Sequence, residues 1–412
     1  MMSFGRSTRP SGEISAVRLA IVQTLVIAPI GLQLPFMPLW FATVGLTAPA
    51  IAAIQATTPV ARFLSNLVIP SIADRTGRTG ILIAVCALGM ALAMTALGFA
   101  RDFWPIYALM ILSAFAQGPM PPLADSLVLR ETRRRVLTRE PALDYGVVRG
   151  AGSLSCLALM IIGGWLVGLF PPQATPFLVA AVMGCAIPAL IALSPPAEAP
   201  ARVGDGEERA PKIERPLLLA LVIATAMIVQ ASHADIYAFG SIGFRTLGFD
   251  NRTIGLLWAV SVVAEIAFFM LIGRRLGGAD SAFRFLIAGA GVGVLRWTLM
   301  AFATHPLALV GLQLLHAGSF AATHLGAVYA IGRLAGERRR AQGQGWASGA
   351  NALGIAGVKL ACGHLWERFG AYSYLAMAAL ALVAFVLALW ATFLDRSYPQ
   401  TSDDGGYTSD PS

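Results

Sequence analysis

Twelve apolar stretches of about twenty residues, each bounded by polar or charged residues, leave this chain few architectures. A run of that length, wound as an α-helix, spans the hydrocarbon of a bilayer while satisfying its own backbone hydrogen bonds. The runs fall at approximately 17–42, 48–71, 79–100, 103–127, 147–170 and 174–194, then at approximately 216–243, 252–273, 281–303, 306–332, 342–366 and 370–394. With 57% hydrophobic and 13% charged residues, a soluble domain is excluded. The predicted fold class is an all-α membrane protein with twelve transmembrane helices in two six-helix halves.

The polar stretch from Pro195 to Pro216 mixes proline, alanine and both charge signs, and reads as a cytoplasmic linker. The expected domains are an N-terminal half at 1–194, a linker at 195–215, a C-terminal half at 216–394 and a disordered tail at 395–412. The first apolar run is too long for a signal peptide and lacks a small-residue cleavage site, so it is expected to stay as the first helix. Arginines concentrate in alternate connections: Arg6, Arg9 and Arg18, then Arg75 and Arg78, then the group from Arg130 to Arg149. The opposite connections carry Arg101, Arg245, Arg252 and Arg368, which predicts both termini in the cytoplasm of a multi-pass inner-membrane protein. This asymmetry accounts for the net charge of +8 without a nucleic-acid partner. Cys86, Cys156, Cys185 and Cys362 all sit in predicted helices with no metal-ligand spacing; no metal and no cofactor is expected.

Glu265, Arg296 and His316 lie deep in three successive apolar runs. A charge at mid-bilayer costs roughly 2.5–3.5 kcal/mol even on a lenient scale, so each needs a partner or a wet cavity, and such groups mark transport pathways. Glu265 beside Arg296 can couple proton binding to anion binding, because desolvation favours the neutral carboxyl and a nearby cation favours the charged one; the alternative is a static ion pair locking two helices. His316 is a candidate proton relay or hydrogen-bond donor to substrate, with a satisfied interhelical histidine as the rival. His324, two turns on, reads as structural. His233 and Asp235 are about 200° apart on an unbroken helix, so only one can face a cavity, and Asp235 is the expected choice.

The segment Ile72-Ala73-Asp74-Arg75-Thr76-Gly77-Arg78 resembles the signature loop of the major facilitator superfamily, with Pro70 at its leading glycine and Thr79 at its final basic position. Asp74, Arg75, Gly77 and Arg78 are the expected conformational latch, against the plainer reading of a positive-inside turn. The stretch from Gly273-Arg274-Arg275-Leu276-Gly277 to Asp280 looks like a degenerate copy in the second half.

Leu143-Asp144-Tyr145-Gly146-Val147-Val148-Arg149, Leu257-Trp258 with Val263-Ala264-Glu265, Val294-Leu295-Arg296-Trp297 and Leu315-His316-Ala317-Gly318-Ser319-Phe320, together with His324, resemble the phenylpropionate permease family. The resemblance spans nearly all twelve runs and implies proton-linked uptake of a small aromatic carboxylate, by a monomer as the superfamily default. That family is similar in turn to lactose-permease-like sugar–proton symporters. Their pattern falls on Asp125 and Arg149, on Asp235 paired with Lys359, and on Glu265, Arg296 and His316. Ser319 stands where that pattern has a second glutamate, and Cys156 where it has a sugar-stacking tryptophan, so a sugar substrate is disfavoured. Asp125, Arg149, Arg296 and His316 are therefore the expected substrate-binding residues, with Asp125–Arg149 equally readable as a helix-end pair. Asp235–Lys359 is the expected intramembrane charge pair, or a plain staple between helices.

Arg62, Arg149, Arg296 and Lys359 outnumber Asp125, Asp235 and Glu265 by one charge, which favours an anion. Prolines and glycines in the first helix (Pro29, Gly31, Pro35, Pro38) and the fourth (Gly118, Pro119, Pro121, Pro122) allow bending. The expected activity is secondary transport by alternating access, with a small organic anion, a proton and the lipid bilayer as partners and no enzymatic chemistry. The alternatives are transport of a neutral solute (a nucleoside or sugar), drug efflux, and, more remotely, a non-transporting sensor.

Overall fold

The computed structural model describes residues 15–141, 143–193, 213–276, 278 and 281–397. The first half holds α1 (Ala16–Thr43), α2 (Ala48–Thr76), α3 (Thr79–Phe99), α4 (Phe103–Thr138), α5 (Tyr145–Leu169) and α6 (Thr175–Leu193). The second holds α7 (Pro216–Thr246), α8 (Asn251–Gly273), α9 (Ala282–Met300), α10 (Pro306–Gly336), α11 (339–369) and α12 (Tyr374–Ser397). Among the described residues ten helical stretches are long and apolar enough to cross a membrane; the last of these, Arg339–Ser397, turns at Gly370 and so supplies both α11 and α12. The 29-residue α2 completes the twelve and is less apolar than its neighbours. Most of the expected linker and tail, Arg6 and Arg9, and Gly277 and Asp280 of the second-half loop copy lie outside the described residues.

Helix starts follow local chemistry. Thr47 caps α2 by accepting from Ala50 N, Asp144 caps α5 through Val147 N at 3.1 Å, and Asp250 caps α8 through Thr253 N at 2.8 Å. α10 and α11 are separated by Gly336, whose φ of +69° is strained for any residue with a Cβ. The tail boundary shifts, since α12 continues to Ser397 and Asp395 is held by Arg333 at 2.7 Å and Arg215 at 3.2 Å.

Two of the prolines, Pro29 and Pro119, interrupt the helices they were expected to bend, while Pro35, Pro38, Pro121 and Pro122 lie within helix. α1 divides between Ile27 and Ile30 at Pro29, and α4 between Gln117 and Met120 at Pro119. Three helices of the second half carry one wide π turn each, at Ile236–Gly240, Phe269–Gly273 and Ala317–Ala321. Such turns insert an extra residue and re-aim the side chains on either side.

The exterior is apolar, with Leu92, Leu154, Leu169 and Trp104 all more than half exposed, whereas Gln23, Thr225, His233, Asp235 and Gln313 are fully buried. This inversion suits lipid outside and polar partners within. The two halves meet where α5 ends and α8 begins, the side that the loop charges predict to be outer. There Asn251 Nδ2 donates to Val167 O at 3.2 Å, and the Arg252 guanidinium lies 3.6 Å over the Trp165 ring. Gly164 approaches the backbone of Asn251 and Arg252, and a methyl at Gly255 would strike the Met160 carbonyl, so both glycines are required by the approach of backbone to backbone. α2 and α11 close similarly, with Gly363 against Ala48 and Pro49.

Candidate functional site

Arg296, from α9, is 1% exposed and surrounded by α10. Its Nε donates to Leu312 O at 2.9 Å, Nη2 to Gln313 Oε1 at 2.9 Å, and Nη1 to His316 Nδ1 at 3.2 Å and Ser319 Oγ at 3.3 Å. Its guanidinium also lies 4.3 Å from the Trp297 ring centroid. These hydrogen-bond acceptors are all neutral. Because arginine only donates, His316 Nδ1 must accept, and the imidazole is therefore neutral with its proton on Nε2. That N–H faces Glu265, with Nε2 3.8 Å from the carboxylate.

Two corrections follow. Glu265 and Arg296 form no direct pair, because the His316 ring occupies the space between them. Asp235 and Lys359 are also not paired: Asp235 accepts from Ser373 Oγ at 2.6 Å, while Lys359 Nζ points to Gln55 O and Oε1, both at 3.4 Å. The turn that separates α11 from α12 places Ser373 in front of Asp235, and α2 places Gln55 in front of Lys359.

His233 is the residue that sequence reasoning set aside. Its Nδ1 donates to Val229 O at 2.9 Å, which leaves Nε2 free to accept from Ser319 Oγ at 3.1 Å. Its ring also packs edge-on against Trp297, 4.9 Å between centroids, and against His316, 5.3 Å. Ser319 thus links His233 to Arg296, at the position where the sugar-symporter pattern has a carboxylate. His324 lies away from this cluster, edge-on to Phe269.

On the first half, Arg149 Nε lies 3.7 Å from Asp125 Oδ1, which also accepts from Gln23 Nε2 at 2.7 Å. Both side chains of the pair are partly exposed. A second polar group joins α1, α2 and α4: Arg62 Nη2 donates to Gln117 Oε1 at 2.5 Å, and Gln117 Nε2 donates to Gln33 Oε1 at 2.7 Å. At the end of α2, Asp74 meets Arg130 of α4 at 3.3 Å, within its own half; Arg75 and Arg78 are exposed, and Gly77 ends the helix. Below it, Arg134 holds Glu131 at 2.8 Å and Glu140 at 2.8 Å, pinning the connection to α5. The Arg134 and Thr138 hydrogen bonds hold the Glu140 carboxyl below its ordinary range. Among the described residues no cluster of metal-ligand type occurs.

Residues 16–377 match the family described as MFS_1 like family. The chain belongs to that family. It is 29% identical over 365 residues to the "Probable 3-phenylpropionic acid transporter" of Escherichia coli (strain K12), covering 87% of this chain and 93% of that one. It is 26% identical over 294 residues to the multidrug resistance protein MdtG of Yersinia enterocolitica serotype O:8, covering 68% and 69% of the two. The crystal structure of the nucleoside transporter NupG superposes with a TM-score of 0.76 at 15% identity, over 93% of this chain and 99% of that one. The MFS_1-like chain therefore has the major facilitator fold and is a multi-pass membrane transporter, not an enzyme.

Proposed function

We propose that this transporter imports a small aromatic carboxylate together with a proton. The observation that carries the reading is the order Glu265, His316, Arg296: a cleft-facing carboxylate, a neutral imidazole aiming its N–H at it, and a buried cation behind. Glu265 is the proton carrier in this reading. Protonation removes its charge, leaves Arg149 less compensated, and so favours entry of an anion into the same cleft. Aspartate and glutamate are absent from the first contacts of Arg296, so no second carrier competes with Glu265 there. The likeness to the relative named for 3-phenylpropionic acid supports an aromatic acid as cargo.

In this reading the α5–α8 seam is the outer one and the state is inward-facing, which agrees with Asp74 being held by Arg130 within its own half rather than across to the second. Outward opening would part Gly164 from Asn251 and bring the Asp74 loop to the second half as a latch. Asp125 and Arg149 then border the inner mouth of the substrate path. Efflux is the second reading, favoured by the likeness to MdtG.

Proteoliposomes loaded with a pH-sensitive dye decide between them. Benzoate, phenylacetate, 3-phenylpropionate, uridine and lactose are offered to wild type and to Glu265→Gln. Acidification of the lumen with the aromatic acids, absent in Glu265→Gln, is expected. Acidification by uridine or lactose instead, or by none of the panel, would overturn carboxylate symport; an imposed proton gradient that expels preloaded acid would reverse the direction.

A further inference from the structure

Arg296 is a poor docking point for a substrate carboxylate in this state, since it is buried and each of its three nitrogens is already engaged. A different pair of cations is better placed. Arg62 of α2 and Lys359 of α11 line one cavity of ≈ 100 Å³ with Gln33, Gln55, Ser113 and Gln117. No aspartate or glutamate is among the residues lining it. Arg62 Nε is buried without a hydrogen-bond partner, and Lys359, 8% exposed, has only two long contacts to Gln55. Two cations in a low-dielectric cavity repel each other and lack the counter-charge that buried ions need. Arg62 lies fourteen residues from the outer end of α2 and Lys359 ten from that of α11, about 21 and 15 Å deep at about 1.5 Å per residue. Both are thus near the midplane, where a facilitator holds its cargo. The volume is about that of three waters, enough for a carboxylate head and well below the 300 Å³ of a pocket enclosing a drug-sized ligand.

We propose that the cavity between Arg62 and Lys359 is an anion site that binds the carboxylate of a small organic acid and, when filled, ties α2 of the first half to α11 of the second. Gln117 and Gln33 hold Arg62 in place for it, and the Gln55 side chain keeps Lys359 turned toward the cavity. The assignment rests on the carboxylate reading only for its choice of probe.

The test uses the purified full-length protein in nanodiscs, with benzoate as probe and benzamide as its neutral counterpart, read by calorimetric titration and by the thermal unfolding midpoint. Wild type should bind benzoate and not benzamide. Arg62→Gln and Lys359→Gln should each weaken benzoate at least about tenfold, the size of one lost charge-assisted hydrogen bond, whereas Arg62→Lys and Lys359→Arg retain it within a few-fold. Gln117→Glu supplies a built-in carboxylate beside Arg62; it should raise the unfolding midpoint without ligand and abolish the benzoate response. Unchanged benzoate affinity in both glutamine variants, an unchanged response in Gln117→Glu, or no benzoate binding by wild type would each overturn the assignment. Loss of binding in Arg296→Gln alone would move the carboxylate to Arg296. The proton-flux measurement is separate: binding that depends on Arg62 and Lys359 without any proton flux would sink symport and leave this site standing.

Discussion

His316 stands between Glu265 and Arg296, 3.8 Å from the carboxylate through Nε2 and 3.2 Å from the guanidinium through Nδ1. The arrangement fixes the tautomer, because the arginine side cannot accept a hydrogen bond. It also separates the two charged groups, so Glu265 and Arg296 touch only through the imidazole.

Arg296→Lys keeps the buried charge but abandons most of the planar fork that serves Leu312, Gln313, His316 and Ser319. Each acceptor left unpaired costs roughly 1–3 kcal/mol. The expected outcome is a lower thermal midpoint in detergent, followed by tryptophan fluorescence, with Gln313→Leu in the lysine background recovering part of it. An unchanged midpoint would mean that the fork does not hold α9 to α10.

Asp235 and Lys359 share no hydrogen-bond partner. A double-mutant cycle of Asp235→Asn and Lys359→Gln, read by thermal stability, should be additive within about 0.5 kcal/mol. Coupling well above that would restore the ion pair that the sequence pattern suggests.

Gly255→Val places a methyl where the Met160 carbonyl lies and should pry α8 from α5. In a protein whose four cysteines are replaced, Met160→Cys is the reporter. Its labelling by a membrane-impermeant thiol reagent from outside intact cells should rise about tenfold for each 1.4 kcal/mol by which the closed state is disfavoured. Equal labelling with and without Gly255→Val would show that the seam does not hold the closed state.

Glu140 titrates below the usual carboxylate range because Arg134 and Thr138 hydrogen-bond its charged form. A depressed folded-state value means that the stabilisation is fully present above the unfolded carboxylate pKa of about 4.3 and is lost as pH falls through the folded value. Glu140→Gln should therefore melt earlier than wild type at pH 7, and the two should converge as pH drops below about 4. A gap that persists or widens in acid would assign the effect to packing instead.

Eleven of the twelve spans were legible because length and apolarity set them, with the less apolar α2 found from its length and its place between them, and the bending at Pro29 and Pro119 was legible because proline lacks the donor a helix needs. The ionisable residues of α8, α9 and α10 were also legible, since each stood out against apolar neighbours. Their partners were not. Helical geometry argued that His233 and Asp235 point to different sides and favoured Asp235, facing Lys359, as the inward one; Asp235 instead meets Ser373, and it is His233 that joins the Arg296 cluster through Ser319. The deciding contact, Ser319, lies 86 residues away on α10, in a π turn that no spacing rule anticipates. Arg62 was visible only as a charge to be counted; its meaning depends on Gln117 and Gln33, two neutral residues from α4 and α1.

The glycine seam at Gly164 and Gly255 closes one side of the molecule by contact of backbone on backbone, with the Asn251–Val167 hydrogen bond and an arginine laid on a tryptophan beside it. The opposite side is held by Asp74–Arg130, the Arg134 pairs and Asp395 with its two arginines. Dispersion is indifferent to dissolved ions, while exposed ion pairs weaken as the Debye length shrinks from about 10 Å at 0.1 M to about 3 Å at 1 M. The two ends of the bundle thus differ in sensitivity: salt leaves the glycine seam nearly as it is, whereas it loosens the ion-paired loops at the opposite end.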